Sequence, residues 1–175
     1  ATLTTAGYPT TFQQTGAGDT APPTIASLSI SPGTVDTSTG SATNTVTARI
    51  TDDHAGLTDC SCSWVLFRSP SGNQYAQASL LHQYRISGNG KDGIYQVQMN
   101  LPAFSEQGTW YVDHVDLSDS ATNRTRIERA TLTTAGYPTT FQQTGAGDTA
   151  PPTIASLSIS PGTVDTSTGS ATNTV

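Results

Sequence analysis

Asp19, Asp52, Asp53, Asp119 and Asp148, together with Asn123, each offer a hard oxygen donor beside a predicted turn or strand end. Brought to one place, such carboxylates would repel one another, and a divalent cation taking six to eight oxygens would relieve that repulsion. Backbone carbonyls near Ala55 or Ala121 would complete such a shell. The same residues also serve as plain turn-formers and strand-end caps, because Asp and Asn favour those places on their own account.

Other reactive residues are scattered. His54, His82 and His114 lie far apart in sequence, with no serine or cysteine nucleophile motif beside them. No G-x-S-x-G elbow, phosphate-binding loop or H-E-x-x-H pair occurs. Asp113 and Asp116 differ by an odd number of positions, so a regular strand points them to opposite faces, unlike a glycosidase pair. Asn123-Arg124-Thr125 matches a glycosylation sequon but falls in the acidic turn. Tyr75, Tyr84, Tyr95 and Trp110 would make either a sugar platform or, more simply, core and sheet-face anchors. The chain is not expected to be an enzyme. Cys60 and Cys62 would lie on one face of a strand start, either as two packed thiols or as a disulfide within the pair or between neighbouring copies.

The elements that must position these residues are strands. Charged residues make up only 11% of the chain, and Thr, Ser, Gly and Pro are plentiful, a composition suited to short strands and turns. The net charge of −6 argues against a basic nucleic-acid or anionic-membrane surface. No apolar run is long enough to span a membrane. Strands are predicted at Thr24–Ser31, Thr45–Thr51, Ser61–Arg68, Ile94–Leu101 and Thr109–Leu117, with a further one beginning at Arg124–Arg129. In Thr45–Thr51, Val46, Ala48 and Ile50 share one face; in Ile94–Leu101, Tyr95, Val97, Met99 and Leu101 do so. Trp110, Val112 and His114 fall on one side of Thr109–Leu117, with Tyr111, Asp113, Val115 and Leu117 on the other. Residues 74–87 are read as one crossing without assigned breaks. One helical turn is expected at Ala130–Gly136 and a closing strand at Thr139–Thr144, followed by Gly145-Ala146-Gly147 as a flexible linker. The expected fold is an all-β antiparallel sandwich.

Residues Ala1–Val46 recur without a mismatch as Ala130–Val175, so one period is 129 residues. Residues 1–16 read as the closing strand of a preceding repeat, 19–145 as a complete domain, and 146–175 as linker and first strands of the next. Two strands cannot bury a sandwich face alone. The segment Thr153–Val175 therefore either belongs to a longer array or pairs with another subunit by strand donation.

Asp19-Thr-Ala-Pro-Pro23, Thr51-Asp52-Asp53-x-x-Gly56, Lys91-Asp92-Gly93-x-Tyr95, Gly108-Thr-Trp110 and Asp119-Ser-Ala-Thr-Asn123 occur in that order across the period. In this the chain resembles the bacterial immunoglobulin-like repeats of large secreted and cell-surface proteins. The resemblance implies adhesin-like spacer domains, extracellular or at the cell surface, that often hold calcium near domain junctions. Thr122 stands where the family-like turn has glycine. Chain direction tests the calcium idea. If the first strand runs down and residues 74–87 make one crossing, Asp19, Asp52, Asp53, Asp119 and Asn123 all lie at the upper pole. Asp148 would play the part of Asp19 for the next repeat. The expected function is a calcium-stiffened stalk, fibre or filament of head-to-tail domains, whose partners are neighbouring copies. A glycan- or surface-binding module acting by avidity is the alternative.

Overall fold

The computed structural model describes residues 8–175. The predicted closing strand at residues 1–16 lies partly outside the described residues, and Tyr8–Gly16 are exposed and form no strand. Ten strands, one short helix and one 3-10 turn follow: β1 Thr24–Ser31, β2 Thr34–Val35, β3 Ala42–Thr51, β4 Trp64–Arg68, β5 Tyr75–Ser79, the turn His82–Tyr84, β6 Arg85–Gly88, β7 Asp92–Leu101, β8 Gly108–Ser118, β9 Arg124–Glu128, α1 Arg129–Thr134 and β10 Thr140–Gln143. They form an all-β sandwich of two sheets. One sheet runs β1-β3-β7-β6 and the other β2-β10-β8-β4-β5, with β9 also paired to β8.

Alternation dictates the core. Val46, Ala48 and Ile50 of β3 and Tyr95, Val97, Met99 and Leu101 of β7 turn inward from the first sheet. Val65 and Phe67 of β4, Ala76 and Ala78 of β5, and Trp110 and Val112 of β8 meet them from the second. Phe141 of β10 closes the core, edge-on to Phe67 and stacked on Trp110. The β3–β7 ladder is the longest, pairing Ala42 with Leu101 through Thr51 with Asp92.

Several expectations change. β3 begins at Ala42, earlier than predicted, because Asn44 is drawn into the core and its Nδ2 donates to the Pro32 carbonyl at 3.0 Å. β4 begins only at Trp64: Cys60 and Cys62 are disulfide-linked in a turn, with Cα atoms 5.1 Å apart, and not on a strand face. The crossing at residues 74–87 is made by two strands in different sheets. β5 rises against β4 and β6 completes the ascent against β7, so the polypeptide still crosses the body once there.

In β8 a bulge breaks the predicted single phase. His114 and Val112 face consecutive residues of β4, Leu66 and Phe67, and Asp113 is left over. Beyond it the inward positions become Val115 and Leu117, so the one strand buries both of its predicted faces in turn. The Gly145–Gly147 segment is packed, against the expectation of a flexible linker. A Cβ on Gly145 would overlap Asp36 Oδ1 and the Thr37 amide, and one on Gly147 the Ser105 carbonyl and Glu106 Cα. These glycines permit close backbone approach.

The repeated segment has two fates. Leu28 is 5% exposed on β1, but its copy Leu157 is 67% exposed, and no strand forms over residues 149–175. What survives there is local. Ser160 pairs with Thr174, Asn173 Nδ2 donates to Pro161 O, and Ser167 N to Asp165 Oδ1, each repeating a contact of the first copy.

Candidate metal centre

Three loops meet at the upper pole of the sandwich. The first is Asp19 and the residues leading into β1. The second follows β3: Asp52 N donates to Lys91 O at 2.8 Å, and Leu57 N to Gly90 O at 2.9 Å. Gly56 permits that approach, since it sits at φ 75° and a Cβ there would overlap Gly90 backbone. The third follows β8, where Asp119 bridges to Leu57 and Ser120 N donates to Gly56 O at 3.0 Å.

Each carboxylate is aimed by backbone amides. Asp52 Oδ1 accepts from His54 N at 3.1 Å and Gly56 N at 2.7 Å. Asp19 Oδ1 accepts from Ala21 N at 3.1 Å, and Asp19 Oδ2 reaches across to Ala55 N at 2.7 Å. Asp119, only 1% exposed, accepts from Asn123 N and Asn123 Nδ2, both at 2.7 Å. The result is one carboxylate oxygen from each of Asp19, Asp52 and Asp119 within 4.8 Å of one another. Like charges held this close repel one another unless a cation lies between them. None of the three forms an ion pair among the described residues. Asp52 Oδ2 is buried with no hydrogen-bond partner, so an oxygen with free lone pairs is held where water scarcely reaches. Hard oxygens so arranged can take a divalent cation, and calcium's loose geometry suits three irregular loops better than magnesium's strict octahedron.

The other predicted ligands are placed differently. Asp53 turns outward, 61% exposed, 3.5 Å from His54 Nδ1. Asn123 acts as a brace: its Nδ2 also donates to the Asp19 backbone carbonyl at 3.1 Å, tying the first loop to the third. Asp148 lies at the opposite pole, where its amide donates to Phe104 O and its carbonyl accepts from Gln74 Nε2. Sequence reasoning overlooked the Ala55 amide and the brace by Asn123. The spacing of Asp52 from Gly56 was the available signal for the loop that supplies the amide.

A second polar group comes from the β8 bulge. Because the bulge cancels the odd spacing, Asp113 and Asp116 both reach His114, at 3.1 Å from Nδ1 and 3.3 Å from Nε2. Arg126 of β9 grips Asp116 through two bonds of 2.8 Å and holds its carboxyl below the usual range. The expectation that these aspartates face apart therefore fails for lack of regular pleating. Of the aromatic residues proposed as a platform, Tyr95 and Trp110 are core, while Tyr75 and Tyr84 are exposed.

Among the described residues no helix is long and apolar enough to cross a membrane, which leaves strand-spanning untouched. The sequence pattern of the family described as a domain of unknown function, DUF7035, matches residues 18–143, and the chain belongs to that family. No curated protein matches the chain.

Proposed function

We propose that this member of a family without an assigned role is an extracellular structural repeat, an immunoglobulin-like domain that binds calcium at its upper pole and serves as a stalk or filament unit. The sheet orders β1-β3-β7-β6 and β2-β10-β8-β4-β5 support the immunoglobulin-like reading. The observation that carries the calcium reading is the convergence of Asp19, Asp52 and Asp119 from three separate loops, with Asp52 Oδ2 buried and unpartnered. The faithful recurrence of Ala1–Val46 as Ala130–Val175 supports a spacer, which gains length with each copy. Ile154, Leu157 and Ile159 lie exposed although Ile25, Leu28 and Ile30 pack on the core or against it. This supports pairing of Thr153–Val175 with a further sandwich, of the next repeat or by strand donation to another subunit.

Calorimetric melting with added calcium and with chelator tests the site. Calcium at about 100 times its dissociation constant should stabilise the fold by about 2.7 kcal/mol. Asp119→Ala should abolish the shift and Asp53→Asn should leave it. An unchanged melting temperature on adding calcium would refute the site. A second reading, adhesion to glycans by avidity, draws on Tyr75, which is 66% exposed. Glycan-array binding lost on Tyr75→Ala but retained by Asp119→Ala would favour it.

A further inference from the structure

Asp19 and Asp148 occupy the same position of the repeat, and the chain shows each in a different half of one setting. Asp19 is held by the sandwich that follows it. Its Oδ2 accepts from Ala55 N and its carbonyl from Asn123 Nδ2. Asp148 is held by the sandwich that precedes it, through N to Phe104 O at 2.7 Å and carbonyl O from Gln74 Nε2 at 2.8 Å. Both accept the same local bond at Oδ1 from the amide two residues on, 3.1 Å from Ala21 N and 2.8 Å from Ala150 N.

The two sets of bonds do not compete. The following sandwich bonds Oδ2 and the carbonyl, the preceding sandwich bonds the amide and the carbonyl, and a carbonyl oxygen has two lone pairs with which to accept both donors. We infer that in consecutive repeats this single aspartate is bonded to both sandwiches at once, and that the lower pole of one repeat seats directly on the Asp52–Gly56 loop of the next. The inference draws on the proposed array only in taking repeats to follow one another; it needs no cation.

Two features of the lower pole point the same way. Gly145 and Gly147 are pressed against backbone of that pole, so the segment leading to Asp148 has no slack. Phe104, which supplies the accepting carbonyl, sits at φ 60°, a strained conformation for a non-glycine residue. That conformation leaves its ring 54% exposed beside Tyr75, Pro102 and Asp148, around a cleft of about 330 Å³. Seated under the loop of the following repeat, this exposed ring gains a cover that the single sandwich does not supply.

The test extends the chain past Val175, the copy of Val46, with a copy of Thr47–Gly147, which supplies a second sandwich. Backbone 15N relaxation should give one rotational correlation time common to both sandwiches, with or without chelator. Phe104→Gly combined with Tyr75→Ser should abolish the common tumbling. Phe104→Gly in the 175-residue chain should raise the melting temperature, because strain is relieved and no cover is lost. Independent tumbling of the two sandwiches in the unsubstituted protein would overturn the inference. Such a result would leave the calcium reading intact if calcium still raised the melting temperature, and common tumbling without any calcium shift would have the reverse meaning.

Discussion

Thr122 carries a left-handed backbone, φ 71°, in the turn that presents Asp119 and Asn123. The turn keeps its shape with threonine where glycine is the expected residue because Asp119 N donates to Asn123 O and the Asp119 carboxylate takes both donors of Asn123. A β-branched residue there costs about 1–2 kcal/mol against glycine. Glycine returns part of that through unfolded-chain entropy. Thr122→Gly should therefore stabilise the domain by about 0.5–1 kcal/mol, read from urea unfolding, without loss of the proposed calcium binding.

Asp116 and Asp92 offer a second residue-scale outcome. Arg126 holds the Asp116 carboxyl below its ordinary value of 3.8, and Arg49 does the same for Asp92. A folded-state value below the unfolded one gives stability that is present above the unfolded value and is lost as pH falls through the folded one. In chelator, the melting temperature should be level above about pH 5 and should drop below about pH 4, and Asp116→Asn should make the drop shallower. A steeper drop in that variant would contradict the assignment.

At the scale of elements, β10 shows what context adds to sequence. Phe141 is 2% exposed, and its copy Phe12, in the same local sequence, is 93% exposed. Phe141→Ala should cost about 3–5 kcal/mol and Phe12→Ala less than about 0.5 kcal/mol, measured by chemical unfolding of the two variants side by side. The limits of the sequence reading have the same origin. Alternation in β3 and β7 was legible because both strands are long, regular and wet on one face. β8 was half legible: its bulge depends on how β4 pairs with it, and no local signal marks the change of phase at Asp113. β5 and β6 looked like one stretch because moving between sheets needs only a short turn, here His82–Tyr84. The upper-pole acids could be placed from chain direction alone, since that depends on the number of crossings and not on their details. Which of them converge could not. Asp52 and Asp53 are adjacent, and only the amides of His54 and Gly56 decide that Asp52 turns in.

For the whole molecule, the entry and exit of the sandwich lie at opposite poles, with Asp19 above and Asp148 below. Both are fastened to the sandwich, one through the Ala55 amide and Asn123 Nδ2 and the other through the Phe104 carbonyl and Gln74 Nε2. Repeats joined as proposed would run as a line and not as a folded-back cluster. Among the described residues β2 and β10 form the one parallel pair, matching Thr34 with Gln142 and Val35 with Gln143. Tension applied along the line pulls β2 from its leading end and β10 from its trailing end. The bonds from Gln142 N to Gly33 O and from Thr144 N to Val35 O are then strained together, in shear, and cannot be peeled off one after another.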